Sequence, residues 1–403
     1  MPFVRKEGRL ALQQAGQDID ILTLAQSESH PCYIYDGDDV LNRLKALKSS
    51  FDRPVSIHYA MKANHHPEIL RRIAAAGYGV DTVSMGEVKK AIKCGFSADQ
   101  VVLSGVGKTV AEIDFAIENQ IKQINVESVP ELQRIIHRSQ ALGKVASVAF
   151  RMNPDVDPKT HPYTSTGFRD NKFGMDQSFL PQLIRLVQDS QGAVRFMGLT
   201  NHIGSQIRYT DAFEEATEKT RRMLDHVLES GIPLSTFDIG GGLGIDYDQY
   251  DPNKDLAEIG DYGLKMSQAL KGVDLEIMTE PGRVIVGRCG ILVTEVQYVK
   301  ETPYKNFLIC DSGMHDLIRP ALYRAHHRVE PLQLKSGETK IYDVVGPICE
   351  SADVLGYDRR FEGVEQGDWL AVFDAGAYGA VMASSYNLHE PAKEIVFFDG
   401  KAY

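Results

Sequence analysis

From about Ser56 to Arg283, short apolar runs alternate with amphipathic stretches. The apolar runs cover residues 56–61, 79–84, 101–104, 123–127, 145–152, 196–202, 236–239 and 276–280, and their lengths are those of strands. Residues 67–76, 86–94, 110–119, 129–142, 180–190, 213–229 and 256–270 separate them with helical patterns. In 129–142, for example, Val129, Leu132, Ile135 and Ile136 follow helical spacing. Strands alternating with crossover helices predict a parallel sheet, and eight such strands are the number that closes a (β/α)8 barrel.

After Arg283 the character changes. Residues 293–300, 307–310, 340–345, 370–373 and 394–398 are strand-like, with few long helical patterns. The fold class expected is therefore α/β, a (β/α)8 TIM barrel followed by a C-terminal, mostly antiparallel β domain. The first residues also hold strand-like pieces, 9–12 and 19–24, which are expected to pack with that β domain. The boundaries that follow are 30–285 for the barrel, and 1–29 with 286–403 for a β-sandwich or β-barrel domain. A chain of 403 residues is long for one ordinary domain.

Composition narrows the function classes. With 43% hydrophobic and 25% charged residues the chain reads as an ordinary soluble globular protein. Its net charge of -11 argues against a general nucleic-acid binder, but leaves room for a local basic pocket. No apolar stretch approaches the length of a membrane span, and Met1 to Leu10 lacks a signal-peptide core. Cys32, Cys94, Cys289, Cys310 and Cys349 are odd in number and contain no CxxC pair. A disulfide framework or a zinc site is not expected, and a reducing, cytoplasmic compartment fits.

Chemistry gathers at the strand ends. Lys62 ends the first run, Asp81 and Ser84 the second, and Arg151 the fifth. His202 with Gly204 and Ser205 ends the sixth. Gly240-Gly241-Gly242-Leu243-Gly244 ends the seventh and Glu280-Pro281-Gly282-Arg283 the eighth. Alone, the glycine run is only a tight strand-to-helix turn, and a single histidine is more often structural than catalytic. Neither a Walker motif nor GxGxxG is present. Together these residues fall on one barrel rim, where active sites lie and phosphate is often held after strands seven and eight. Lys62 at the mouth of a packed sheet is expected to be desolvated, with a lowered pKa and a nucleophilic amine. A phosphate site beside a candidate Schiff-base lysine suggests pyridoxal 5′-phosphate. Glu280 is the candidate to keep the cofactor's ring nitrogen protonated, and His202 the candidate to pack flat on the ring.

Further motifs extend this pattern: Tyr-Ala-Met-Lys-Ala-Asn (59–64), Asn-Pro-Asp-Val-Asp-Pro-Lys-Thr-His (153–161), Asn-Lys-Phe-Gly (171–174), and His-Ile-Gly-Ser-Gln-Ile (202–207). Cys-Asp-Ser-Gly-Met (310–314), Arg319 with Tyr323, Gly-Pro-Ile-Cys-Glu-Ser (346–351) and Gly-Ala-Tyr-Gly (376–379) follow. With these the chain resembles, over nearly its whole length, the fold-type III pyridoxal-phosphate decarboxylases, and within them the branch acting on diaminopimelate. The resemblance implies decarboxylation of meso-2,6-diaminopimelate to L-lysine, the last step of lysine biosynthesis, with pyridoxal 5′-phosphate and no metal. It implies that Lys62 bonds the cofactor and that Asp81, Arg151, His202, Ser205, Gly240, Gly241, Gly242, Glu280, Gly282, Arg283 and Tyr378 surround it. Arg283, Arg319 and Tyr323, with Tyr378, are implied to grip the substrate's far carboxylate, and Glu350 its far amino group. Cys349 is implied to protonate the carbon that CO2 leaves. In the family, the residues matching Cys349 and Glu350 enter the partner's site, which implies a homodimer with shared active sites.

The physical logic agrees, since the far end of diaminopimelate is a zwitterion that needs a cation and an anion. Three departures stand out. The tail reads Tyr386-Asn387-Leu388-His389-Glu390-Pro391 where the family often has Tyr-Asn-x-Arg-Pro. His315 and the pair His326-His327 are also unusual, and all are taken as variation away from the core contacts. The alternatives are a decarboxylase of ornithine, lysine, arginine or carboxynorspermidine, and a catalytically dead regulatory homologue. Residues 154–171 are read either as a mobile lid or as a fixed loop.

Overall fold

The computed structural model describes residues 3–28, 31–160, 166–167, 171–249 and 251–403. His161, and with it part of the candidate lid 154–171, lies outside the described residues.

Eight parallel strands close a barrel: Val55–Ala60, Gly79–Thr82, Val101–Leu103, Gln123–Val126, Ala146–Arg151, Val194–Thr200, Thr236–Asp238 and Glu276–Thr279. Closure comes from the last strand against the first, with Ile277 opposite Val55 and Thr279 opposite Ile57. Each strand begins within two residues of its expected start, because a run buried on both faces is continuously apolar. The crossover helices start where the sequence offers caps. Thr109 and Glu112 form a capping box, and Ser128 caps Val129–Leu142, which ends on Gly143 at φ 62°. Ser84, expected among the site residues, instead caps Met85–Lys93 by accepting from Glu87 N.

A second, nine-stranded sheet is built mostly from the C-terminal third. It is mostly antiparallel, with two parallel pairs: Asn306–Cys310 beside Thr339–Val345, and Lys393–Phe398 beside Cys32–Asp36. Cys32–Asp36 falls inside the expected barrel boundaries, yet it pairs with Gly290–Glu301 in this sheet. The barrel's first strand begins only at Val55. Three N-terminal strands, Phe3–Lys6, Arg9–Gln14 and Gln17–Asp20, form a small sheet. The expected strand at 19–24 is a correction. The chain turns into the helix Ile21–Glu28, because the Asp20 carboxylate accepts from Leu22 N at 3.0 Å and Thr23 N at 3.4 Å. The N-terminal piece does pack on the β domain: Phe3, Leu10, Leu12 and Ile21 share a core with Ile34, Ile291, Val293 and Trp369.

Candidate active site at the barrel mouth

The C-terminal ends of the barrel strands enclose a cavity of about 210 Å3. Lys62, Asp81, Arg151, His202 and Glu280 line it, with Ser104, Asn125 and Phe173. Lys62 sits just past the first strand, in the one-turn helix Met61–Ala63. Its Nζ donates to Asp81 Oδ2 at 3.0 Å. Burial disfavours the charge, but Asp81, helped by Tyr378 and Glu280, outweighs it and holds the ammonium above its ordinary pKa. This corrects the expected lowered pKa. Desolvation acts as foreseen, but the second strand supplies a buried counter-charge.

His202 is neutral. Burial, with the charges of Arg151 and Lys62, pushes its pKa well below the ordinary value. Gly241 N donates to His202 Nδ1 at 3.2 Å, which leaves the ring proton on Nε2. Arg151 NH1 donates to Glu127 Oε1 at 2.7 Å, and Glu127 Oε2 accepts from Gly174 N at 2.7 Å. Arg151 thus ties the loop at Asn-Lys-Phe-Gly to the barrel, and its guanidinium lies 4.9 Å from the Phe173 ring. Glu280 is deeply buried beside Asp238 and Asp81. Burial first, then these two carboxylates, raise its pKa well above the ordinary range. The pKa of Asp238, buried beside it, is raised to about 6, chiefly by its own burial.

The glycine turn lies against His202 and Glu280. Asp238 Oδ1 accepts from Gly240 N at 2.8 Å, and Glu280 N donates to Gly240 O at 2.8 Å. A Cβ on Gly241 would lie 1.9 Å from the Glu280 carbonyl oxygen. Gly242 has φ +116°, a conformation that favours glycine. Gly282 leads into the short helix Arg283–Val286. Arg283 NH2 donates to Ser205 Oγ at 3.1 Å, and its guanidinium lies 4.7 Å from the Tyr378 ring. Tyr378 takes a left-handed φ of 57° and is anchored by its N–H to Ala63 O at 2.8 Å. The β domain therefore touches the turn that carries Lys62.

Two residues that the sequence reading missed organise the arginines. Arg283 NH1 donates to Tyr247 OH at 2.8 Å, while the Arg319 guanidinium lies 4.4 Å from the Tyr247 ring. Arg319 NH1 donates to His327 Nε2 at 2.7 Å, and His327 Nδ1 donates to Phe373 O at 2.8 Å. His327, taken from sequence as variation, is in fact buried directly behind Arg319. Tyr323 lies close enough to both arginines to favour their charge. His315 stays apart from the cavity, its ring 4.5 Å from that of His389 of the tail in a tilted contact.

Cys349 and Glu350 do not join this cavity among the described residues. Cys349 is exposed, unlike the four other cysteines. Glu350 Oε1 accepts from Tyr386 OH at 2.8 Å at the surface.

The site fits pyridoxal phosphate on its own geometry. The glycine turn leaves no room for side chains, and Arg283 Nε is buried without a partner among the described residues. Lys62 and Glu280 both line the cavity, and burial raises the Glu280 pKa well above its ordinary value.

Comparisons agree. A family model described as "Pyridoxal-dependent decarboxylase, pyridoxal binding domain" matches residues 37–287. The chain is 40% identical over 402 residues to a diaminopimelate decarboxylase of Vibrio cholerae, covering 99% of this chain and 94% of that one. It is 39% identical over 387 residues to the Aquifex aeolicus diaminopimelate decarboxylase, covering 95% and 90%. The crystal structure of diaminopimelate decarboxylase from Helicobacter pylori complexed with L-lysine superposes with a TM-score of 0.90 at 38% identity, covering 95% of each chain. From its barrel, its Lys62 site and these relatives, the chain belongs to the pyridoxal-dependent decarboxylase family.

Proposed function

We propose that this chain removes CO2 from meso-2,6-diaminopimelate and releases L-lysine, using pyridoxal 5′-phosphate. One observation carries the substrate assignment. Arg283 and Arg319 are both buried against Tyr247, and neither has a carboxylate partner among the described residues. Burial, with Arg283 nearby, lowers the pKa of Arg319. Two buried guanidinium groups without counter-charge are costly, and a substrate that brings a second carboxylate relieves the cost. Ornithine, lysine and arginine bring none to the far end. The curated relatives named for diaminopimelate support the same choice. A dead homologue is disfavoured because Lys62, His202, Glu280 and the glycine turn are all in place.

When bound, pyridoxal phosphate supplies a sink for the electron pair left as CO2 departs. Lys62 is the amine that bonds it, and Asp81 keeps that amine positioned and charged between turnovers. Glu280 holds a proton for the ring nitrogen. His202, neutral and fixed by Gly241, presents a flat face. Ser205, Gly240, Gly241, Gly242, Gly282, Arg283 and Tyr378 surround the phosphate end, and Asp81 and Arg151 complete the cofactor set. Arg319, Tyr323 and Arg283 hold the far carboxylate.

We further assign Cys349 and Glu350 to the partner's site in a homodimer, with Cys349 Sγ delivering the proton and Glu350 binding the far ammonium. Their exposure, away from their own chain's cavity, supports this reading. Five free cysteines fit a reducing compartment, and the cytoplasm is the location proposed. Among the described residues no helix is long and apolar enough to cross a membrane.

Incubating the purified chain with pyridoxal phosphate and meso-diaminopimelate should yield L-lysine; no lysine would refute the assignment. Subunit sharing has its own test. Inactive Lys62→Ala and Cys349→Ala chains, mixed after dissociation, should regain roughly a quarter of wild-type activity, because mixed dimers hold one intact site. Failure to regain any would place both residues in one chain's site.

A further inference from the structure

Gln123 and Asn125, two residues apart on the fourth barrel strand, are both fully buried. Barrel interiors are normally filled by branched apolar side chains, and a buried amide is costly unless every polar atom is bonded. Here the bonds are made, and they run in one direction. Thr236 Oγ1 donates to Gln123 Oε1 at 2.9 Å, and Gln123 Nε2 donates to Asn125 Oδ1 at 2.7 Å. That contact fixes the orientation of the Asn125 amide, so its two hydrogens face away from Gln123. One goes to Ser104 Oγ at 3.0 Å and the other toward Glu280 Oε1 at 3.4 Å. Ser104 Oγ then donates to Asp81 Oδ1 at 2.7 Å, and Asp81 Oδ2 accepts from Lys62 at 3.0 Å.

We propose that Asn125 is a positioning residue at a fork, with one branch reaching Lys62 through Ser104 and Asp81 and the other reaching Glu280. The two branches end on the groups assigned above to opposite ends of the cofactor's electronic system. Chains of hydrogen bonds polarise one another, so a donor withdrawn from one branch is felt on the other. The fork couples the charge of the Lys62–Asp81 pair to the proton on Glu280. Asn125 and Ser104 line the same cavity, and the role assigned to them runs through the two carboxylates that they bond. The inference rests on the pyridoxal phosphate reading of the site.

The test uses the full chain loaded with pyridoxal phosphate. Asn125→Leu should lower kcat at least about tenfold while KM for meso-diaminopimelate stays within about twofold. The visible absorption band of the lysine-linked cofactor should shift in position or in the ratio of its forms. Ser104→Ala should produce the same spectral change, and Ser104→Thr, which keeps the hydroxyl, should reverse it. The Ser104 pair decides the matter if Asn125→Leu does not fold. Spectra unchanged in Ser104→Ala would overturn the fork and leave these residues as packing only. A wild-type chain that develops no visible band with added cofactor would overturn the cofactor reading, and the fork with it.

Discussion

Arg319 and His327 are joined by a 2.7 Å hydrogen bond from NH1 to Nε2 in which the imidazole must be neutral. Burial, with the charge of Arg319, keeps the histidine pKa well below its ordinary value and so preserves that acceptor. His327 in turn donates to Phe373 O, a residue of the second sheet's core. The guanidinium proposed to hold the substrate's far carboxylate is therefore braced from the β domain, while Tyr247 braces it from the barrel side.

Arg319→Ala should chiefly weaken diaminopimelate binding and leave the cofactor bound. The expected cost is on the order of 2–5 kcal/mol in substrate affinity. His327→Leu should raise KM with a smaller cost, about 1–3 kcal/mol, because it leaves a buried guanidinium hydrogen without an acceptor. Steady-state kinetics with a cofactor absorbance check separates the cases. Unchanged KM in both variants would remove the arginine pair from substrate binding.

Lys62→Ala should eliminate the visible band of bound cofactor and nearly all turnover. The same change strips Asp81 Oδ2 of its ammonium partner in a buried site. The variant that keeps both band and activity would end the role assigned to Lys62.

Gly241→Ala tests the tight turn. The added methyl would lie 1.9 Å from the Glu280 carbonyl oxygen, so the turn or the strand end must move. A stability loss of about 1–3 kcal/mol is expected, together with weaker cofactor binding. Chemical denaturation and cofactor titration measure the two effects. A variant of wild-type stability and affinity would show that the turn has room to spare.

How much of this was legible before the fold was known depended on the kind of signal. The barrel strands stood out because residues buried on both faces leave continuous apolar runs, and the rim residues then followed from their places at strand ends. The strand Val354–Glu362 escaped because Asp358 and Arg360 at exposed positions and the half-buried Arg359 erase the apolar pattern. Tyr247 lies in a loop past the glycine turn, where no periodicity marks it. Gln123 and Asn125 did leave a sign, as two amides at inward spacing inside an apolar run. The raised Lys62 pKa could not be foreseen, because it depends on the pairing of Ala60 with Asp81 across adjacent strands.

His58 gives a pH prediction. Burial, and then the charge of Lys122, lowers its pKa to about 4 from an ordinary 6.5. A lowered folded pKa means that the neutral form is favoured in the fold. That stability is full above pH 6.5 and is lost as pH falls toward 4. The loss attributable to this group is roughly 3 kcal/mol. His58→Phe should therefore lose less stability than wild type between pH 6.5 and 4 in parallel denaturant titrations. Equal losses would mean that another group governs acid sensitivity.

The most direct measurement is CO2 release from the purified chain with added pyridoxal phosphate, comparing meso-diaminopimelate, L-ornithine, L-lysine and L-arginine side by side. The buried, uncompensated arginine pair predicts strong release from meso-diaminopimelate alone, with L-lysine as product. Release only from an amino acid without a distal carboxylate would keep the barrel and the cofactor but contradict the roles of Arg319, Arg283 and Glu350.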